Sequence, residues 1–364
     1  MNKIAVVGLG RLGLCFALNL EKVGYSVYGI DTNVDYVEKI NHKQLKSNEP
    51  LVEEYLQTAK NLIATLDLSI IESENIQFIY VILPTPSQED GSFSQRIIDD
   101  FIDELKNRIP TSCERHIIIG STVTPGYCDD LARKLEGNNL TITYNPEFIA
   151  QGSIIHDQQH PDQLLIGEGH PDATIFLKEL YSKMCISNPE IHVMSRISAE
   201  ITKLATNCFL TMKISFANSI GDLARTVGAE ENKILAAIGS DSRIGNKYLN
   251  YGFGFGGPCF PRDNQALIAF ANQKKIELPL SKSTIETNKI HLFFQLEEYL
   301  KTNKNEFIFE SITYKSGTDI IEESQQLKLA SLLVEVGKKV IVKNANHIKN
   351  KIEKIYPNYF TFVD

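Results

Sequence analysis

The chain opens with a pattern that leaves few possible folds for its first half. An apolar segment, Lys3–Val7, runs into glycines spaced as G-x-G-x-x-G and then into an amphipathic stretch, residues 14–23. Strand, glycines and helix in that order are typical of the βαβ unit whose backbone approaches a pyrophosphate at a helix N-terminus. The sequence therefore predicts a parallel α/β domain that binds a dinucleotide. The contacts expected in this turn are Gly8, Gly10, Leu12 and Gly13.

The second predicted strand, Ser26–Ile30, ends at an acidic residue, Asp31. A carboxylate there accepts hydrogen bonds from a ribose diol and repels a 2′-phosphate, so the pattern favours NAD over NADP. The alternative is a βαβ unit whose glycines serve only close packing. An acid at this distance from the glycines makes that alternative the weaker one.

Further strands are predicted at residues 78–83, 116–120 and 141–144, with helical stretches between them. This alternation predicts a parallel, doubly wound sheet of the Rossmann type, with its ligands at the loops that follow the strands. Those loops contain residues 84–86, 121–126 and 145–152. Serine, threonine and glutamate in such loops commonly only cap strand ends, and without further information that is the first interpretation.

A second glycine-rich segment, residues 251–263, reads Tyr-Gly-Phe-Gly-Phe-Gly-Gly-Pro-Cys-Phe-Pro-Arg-Asp. Four glycines within six residues predict a backbone that a ligand can approach closely. Pro261 is favoured in a first helical turn, which places Cys259 at a helix N-terminus, where amides and the helix dipole stabilise a thiolate. With Asp263 on the same face, a nucleophile and general-base pair is predicted; the alternative is a tight turn with a buried, inert cysteine.

A long helix is predicted over residues 195–228, and Lys203 and Asn207 lie four residues apart on one face of it. A lysine and an amide that converge on one point can stabilise an oxyanion. Taken alone, the pair is more typical of a solvated helix face.

Residues 254–263 closely resemble the active-site signature of the nucleotide-sugar 6-dehydrogenases, the UDP-glucose/GDP-mannose dehydrogenase family. The resemblance covers about residues 1–345. It implies NAD-dependent, four-electron oxidation of a sugar CH₂OH to a carboxylate through a thioester on Cys259, most simply on UDP-glucose, for surface polysaccharide supply. The catalytic residues that it implies are Cys259, Lys203, Asn207, Asp263, Glu147 and Thr122.

The resemblance also implies contacts with the two ligands. Cofactor contacts are expected at Gly8, Gly10, Leu12, Gly13, Asp31, Thr85, Thr122 and Arg262. Substrate contacts are expected at Glu147, Phe148, Ile149, Gln151, Lys203, Arg243, Tyr248, Phe253, Gly254, Gly256, Gly257 and Lys315. Arg243 matches a family arginine that reaches the substrate of a partner subunit, which implies a homodimer through the middle domain.

The chain departs from the family at three places. Arg262 stands where lysine is usual, and Gln151 stands where glutamate is common. Glu322 stands where the family directs an arginine at the nucleotide, and a carboxylate would repel a diphosphate. Residues 301–364 are expected to form a shortened C-terminal α/β domain, in which Tyr314 and Lys315 remain.

Charge, cysteine spacing and hydropathy disfavour several other classes of protein. The net charge is −8 and no basic run is present, which disfavours a nucleic-acid partner. The six cysteines show no metal-binding spacing, so no metal or disulfide framework is expected. No apolar stretch is long enough to cross a bilayer and the start leads directly into a strand, so we expect a cytoplasmic protein with no membrane partner.

The predicted organisation is a Rossmann-type domain over residues 1–195, a helical middle domain with the catalytic cysteine over 196–300, and the short domain over 301–364. Three alternatives stay open. One is another nucleotide sugar, of the UDP-N-acetylhexosamine or GDP-mannose type. Another is a two-electron hydroxyacid dehydrogenase, which has no need of Cys259. The third is a non-catalytic, NAD-binding regulatory protein.

Overall fold

A computed structural model describes residues 2–109, 113–315, 317–343, 345 and 347–363. The chain divides into two compact units, residues 1–203 and 204–364. Helix α9 crosses this boundary, and the three-domain division expected from the sequence stays a prediction.

The first unit alternates strands and helices. Its strands are β1 (Lys3–Val7), β2 (Ser26–Ile30), β3 (Leu62–Thr65), β4 (Phe78–Val81), β5 (Arg115–Ile119), β6 (Leu140–Tyr144), β7 (Gln163–Glu168) and β8 (Glu190–Ser195). Its helices are α1 (Arg11–Lys22), α2 (Val34–Asn41), α3 (Val52–Thr58), α4 (Ile70–Ser73), α5 (Arg96–Arg108), α6 (Tyr127–Lys134), α7 (Ile154–Gln159) and α8 (Pro171–Met184), and α9 (Arg196–Thr226) begins here.

These strands form one eight-stranded sheet in the order β3-β2-β1-β4-β5-β6-β7-β8. All neighbours are parallel except β6 and β7, which are antiparallel. Ile4 and Val6 of β1 face the core that contains α1, whereas Ala5 and Val7 face the core that contains α5. Both faces of β1 are therefore covered, which confirms the doubly wound α/β class.

Several elements differ from the sequence-based expectation. Strands β3, β7 and β8 were missed; β3 and β8 are partly exposed, and β3 has only 4 residues. Helix α1 begins at Arg11, three residues before the expected start. Gly13 thus lies inside the helix, and a Cβ atom there would lie 1.8 Å from the carbonyl oxygen of Gly8. The third glycine of the motif allows the helix to pack closely on the turn.

The second unit is helical and carries a small sheet. Its elements after α9 are α10 (Glu231–Gly239), α11 (Phe260–Gln273), α12 (Pro279–Lys301), β9 (Glu306–Phe309), α13 (Gln325–Glu335), β10 (Lys339–Lys343), α14 (Lys349–Ile355) and β11 (Thr361–Val363). The strands are parallel in the order β11-β10-β9, as the expected C-terminal α/β unit requires. Helix α11 begins directly after Cys259, which confirms the helix N-terminus predicted there. Among the residues described, no helix combines the length and apolar character needed to cross a membrane.

Candidate active site

The first glycine turn has room for a ligand at one glycine and close protein contacts at another. Gly8 has a φ of +88°, and a Cβ atom there would lie 2.2 Å from the carbonyl oxygen of Ile82. Gly10 caps α1, and within the described part of the chain no atom lies within 4 Å of the position of its missing Cβ. Open space at a helix N-terminus fits the pyrophosphate of a dinucleotide. Leu12 packs its side chain against the core beside this turn.

Asp31 is fixed beside the same turn. Its Oδ2 accepts a hydrogen bond from the Leu9 amide at 2.8 Å, and its Oδ1 accepts one from the Asn33 amide at 3.0 Å. A half-buried carboxylate held in this way has lone pairs left for a ribose diol. The residues at this end of the sheet therefore fit NAD.

The loops after β4 and β5 are joined by side-chain hydrogen bonds. The hydroxyl of Thr85 donates to the carbonyl oxygen of Thr122 at 2.8 Å. Ser121 Oγ accepts from the Leu83 amide at 2.8 Å and donates to the Leu83 carbonyl at 2.7 Å. Both loops are thus held together at the carboxyl edge of the sheet, where the sequence placed Thr85 and Thr122.

Lys203 is buried, which rules out the solvated helix face. Its Nζ donates to the carbonyl oxygen of Glu147 at 2.6 Å and lies 4.3 Å from the centre of the Phe148 ring. Glu200, one turn earlier on α9, accepts hydrogen bonds from the amides of Gly126 and Cys128 at 2.5 and 2.9 Å. These contacts fix α9 against the loops that follow β5 and β6.

The carboxyl group of Glu147 lies in an environment that resists ionisation. Burial raises its pKa to about 7, against the opposing effect of the Lys203 charge. Its Oε1 is buried without a hydrogen-bond partner among the described residues. A carboxyl group that titrates near neutral pH can both accept and return a proton.

The remaining residues of this segment have different contacts. Ile149 packs against the core, and Gln151 Oε1 accepts a hydrogen bond from Arg11 at 3.4 Å. The amide that replaces the family's glutamate therefore lies beside the first glycine turn.

In the second unit, Cys259 is exposed and is the N-cap residue of α11, with Pro261 in the first turn as expected. Asp263 in that turn is buried, and its Oδ2 accepts a hydrogen bond from Asn207 Nδ2 at 2.5 Å. The thiol thus stands at a helix N-terminus, and the carboxylate one turn away is paired with an amide. Arg262, between them in the sequence, is half-buried.

The second glycine run is packed against protein at three of its four glycines. A Cβ atom at Gly254 would lie 2.3 Å from Asn288 Oδ1, and one at Gly256 would lie 2.2 Å from the Glu323 carbonyl oxygen. Gly257 has a φ of +80°, and its Cβ would lie 2.5 Å from the Tyr314 ring. We expected these glycines to leave space for a ligand. That expectation is wrong at the Cβ positions of Gly254, Gly256 and Gly257, where protein atoms fill the space. Contacts to substrate through their backbone remain a prediction.

Polar side chains that sequence reasoning missed hold this loop. The buried Asn288 accepts from the Phe255 amide at 2.9 Å and donates to the Phe255 carbonyl at 3.0 Å. His291 Nε2 lies 2.7 Å from the Gly252 carbonyl oxygen, and its Nδ1 lies 2.9 Å from Asp222. The clamping residues lie on helices far from the loop in sequence, and their burial, which is unusual for polar residues, is visible only in the structure.

Other expected substrate residues are at the surface. Arg243 is exposed and forms a bidentate pair with Asp241, at 3.0 and 2.7 Å. Tyr248, Phe253 and Lys315 are exposed as well. Glu322 accepts a hydrogen bond from the Gly257 amide through its carbonyl oxygen at 3.1 Å. The segment with the altered charge is thus attached to the glycine loop by its backbone.

Comparison with known proteins identifies the class. Residues 2–185 match the NAD binding domain of the UDP-glucose/GDP-mannose dehydrogenase family, and residues 197–290 match its central domain. The chain belongs to this family. The resemblance seen in residues 254–263 is confirmed, and so are NAD as cofactor and the enzyme class, an NAD-dependent nucleotide-sugar 6-dehydrogenase.

Individual relatives agree. The chain is 30% identical to the UDP-glucose 6-dehydrogenase of Rickettsia prowazekii over 351 residues, which covers 93% of this chain and 80% of the relative. It is 29% identical to a UDP-glucose 6-dehydrogenase of Haloferax volcanii, with 93% and 82% covered. The structure of a UDP-glucose dehydrogenase from Pyrobaculum islandicum matches with a TM-score of 0.90 at 29% identity, over 100% of this chain and 86% of that one.

The raised pKa of Glu147 predicts a pH-dependent stability. Since folding raises this pKa from 4.5 to about 7, its contribution is fully present below pH 4.5 and is lost as the pH rises through 7. Between pH 5 and 8 the wild type should lose about 3 kcal/mol of unfolding free energy that Glu147→Gln does not lose. Urea denaturation of both proteins at the two pH values measures this difference. Identical pH dependence in the two proteins would contradict the assignment.

The clamp on the glycine loop predicts a stability effect from a residue outside the signature. Asn288→Leu leaves the buried Phe255 amide and carbonyl without partners and should lower the unfolding free energy by about 3 kcal/mol. Lys289→Leu, at the exposed neighbouring position, should change it by less than about 0.5 kcal/mol. Equal effects of the two substitutions, measured by urea denaturation, would show that the clamp does not stabilise the loop.

Proposed function

We propose that this protein oxidises C6 of UDP-glucose to give UDP-glucuronate, with Cys259 as the covalent nucleophile. The observation that carries the proposal is the exposed thiol at the N-terminus of α11, one turn from the buried pair of Asp263 and Asn207. The family assignment and the relatives named as UDP-glucose dehydrogenases support the choice of substrate.

The first oxidation removes a hydride from C6 and a proton from its hydroxyl oxygen. NAD, when bound, supplies the hydride acceptor in each of the two oxidations. The ammonium group of Lys203 and the amide of Asn207 stabilise negative charge on the C6 oxygen. They lie four residues apart on α9, about 6 Å along the helix axis.

The second half of the reaction depends on sulfur. The Cys259 thiolate adds to the aldehyde carbon, and the carbonyl oxygen takes a proton to give a thiohemiacetal. Loss of a second hydride and of the hydroxyl proton converts this adduct into a thioester. The helix N-terminus favours the thiolate both as the attacking group and as the group that leaves.

Hydrolysis releases the product. Water adds to the thioester carbon, the carbon–sulfur bond breaks, and Cys259 leaves as a thiolate. Glu147, whose pKa is about 7, takes the proton from this water, while Thr122 positions the water and Asp263 assists. The remaining cofactor and substrate contacts that the resemblance implies belong to this proposal.

Cys259→Ser tests the mechanism. It should lower the release of uronate by at least about 10³-fold, because a serine hydroxyl, unlike a thiol, stays protonated at a helix N-terminus and is a much weaker nucleophile. Cys113→Ser, at another exposed cysteine, should leave turnover unchanged. The measurement is NADH formed per sugar, with excess NAD and a panel of UDP-, GDP- and CDP-linked sugars.

Each outcome of this measurement favours a different function. Two NADH per UDP-glucose supports the proposal, whereas the same ratio with another sugar reassigns the substrate. One NADH per substrate favours a two-electron dehydrogenase. No NADH with intact NAD binding favours the regulatory alternative, for which Glu322→Arg is the first substitution to examine.

We also propose that the protein is a homodimer through α9. Phe209, Phe216 and Leu223 are 58%, 47% and 60% exposed and lie seven residues apart, which places them in one stripe. An antiparallel pair of α9 helices that cross at Phe216 would bring Phe209 of one copy against Leu223 of the other, so the stripe is self-complementary. The predicted contact of Arg243 with a partner subunit's substrate depends on this dimer.

Cytoplasmic location stays a prediction.

Phe216→Glu should shift the protein from dimer to monomer, because it places charge at the centre of the stripe. Light scattering coupled to size-exclusion chromatography measures this change. Ile186→Glu, at an exposed apolar residue of the first unit, should leave the mass unchanged. A monomeric wild type at micromolar concentration would refute the dimer.

A further inference from the structure

Four potential metal ligands converge at a place that the proposed chemistry does not use. Glu114, His116, His170 and Asp172 each offer one ligand atom, and these atoms all lie within 4.8 Å of one another. Glu114 and His116 stand at the start of β5, and His170 and Asp172 stand at the start of α8. The cluster is therefore at the amino end of β5, whereas the first glycine turn follows the carboxyl end of β1.

We propose that these four residues form a binding site for a divalent transition-metal ion, with zinc as the best match. Two imidazoles and two carboxylates are a donor set that Zn²⁺ accepts in tetrahedral geometry. Tetrahedral zinc bonds of about 2.0 Å require the ligand atoms to approach one another by up to about 1.5 Å, which rotation of exposed carboxylates allows. Glu114 and Asp172 are both exposed.

The ring of His116 is already positioned as a ligand. Its Nδ1 lies 2.8 Å from Thr141 Oγ1, which assigns Nε2 to the metal. The ring stacks with Phe78, at 5.1 Å between ring centres, and with His170, at 4.9 Å.

His170 must change tautomer to bind the metal. Its Nδ1 accepts a hydrogen bond from the Asp172 amide at 3.2 Å, and its Nε2 lies 3.7 Å from Glu114 Oε1. Coordination through Nε2 moves the ring proton to Nδ1 and breaks the bond to the Asp172 amide. A metal–imidazole bond replaces that long hydrogen bond, and the metal then connects β5 to the start of α8.

Solvent can reach the cluster. A groove of about 600 Å³ runs beside it and is lined by Glu114, His116 and Asp172 together with Lys3, Glu74 and Glu179. Four of these six residues are acidic, so the groove attracts cations and provides a path for entry.

Zinc titration of the 364-residue chain against a chromophoric chelator tests the site. A Cys113→Ser background removes the exposed thiol next to Glu114. We expect one site of micromolar or tighter affinity, and Glu114→Gln/Asp172→Asn should weaken it by at least about 100-fold, since it removes two of four ligands. Both carboxylates are exposed, so this variant should fold. Thr141→Val, which frees His116 Nδ1, should weaken binding about 10-fold.

The matched control is His156→Ala/His160→Ala. These two rings are stacked at 4.4 Å and His156 is next to Asp157, but the pair is not part of the four-residue cluster. The control should bind zinc like the parent. Zinc at 100 times its dissociation constant should raise the Tm of the parent by about 5 °C and leave that of the carboxylate variant unchanged. Equal zinc affinity and equal Tm shifts in the parent and the carboxylate variant would refute the site, whatever the enzyme's substrate proves to be.

Discussion

The loop that leads to Cys259 depends on buried polar side chains that satisfy its backbone. Asn288 pairs with both backbone groups of Phe255, Asn218 accepts from the Gly252 amide at 3.0 Å, and His291 faces the Gly252 carbonyl. An irregular backbone can be buried only when such partners are present. The glycines serve the same end, because they let side chains of α12 and backbone of the 322–323 segment approach the loop. The loop before Cys259 is therefore held by groups that are distant from it in sequence.

In both glycine motifs most glycines are packed against protein, and only some leave space for a ligand. In each, most of the missing Cβ atoms would collide with protein: Gly8 with the Ile82 carbonyl, Gly13 with Gly8, and Gly257 with Tyr314. Gly10 is the exception in the first motif, and its free space lies at the N-terminus of α1. Glycine density thus indicates a backbone under tight packing. Which glycine admits a ligand depends on what stands opposite, and the motif alone does not reveal that.

Local patterns were enough to predict β1 with α1, Asp31 at the end of β2, and Cys259 at the start of α11. Each of these depends on residues within one turn or one strand, where propensity and spacing decide the structure. The pKa of Glu147 and the Asn288 clamp could not be predicted, because they arise from contacts between segments that are distant in sequence. The same holds for the cluster of two histidines and two carboxylates, which joins residues 114–116 to residues 170–172 and matches no metal motif. Sequence comparison alone also drew attention to the charge of Glu322, whereas the contact with Gly257 is made by the backbone carbonyl of Glu322.

The single antiparallel pairing in the large sheet has a mechanical consequence. Because β7 runs against β6, and β8 runs with β7, the chain enters α9 near Ile142, to whose carbonyl oxygen Arg196 donates at 3.0 Å. The helix then returns toward the carboxyl edge of the sheet, where Lys203 reaches the carbonyl of Glu147. The register of these strands thus determines where Lys203 lies relative to Glu147. A slip of one residue in the pairing of β7 would displace the origin of α9 by about 3.3 Å, more than the length of the bond that Lys203 makes. The position of this ammonium group is therefore set by strands that contain no functional residue of the site.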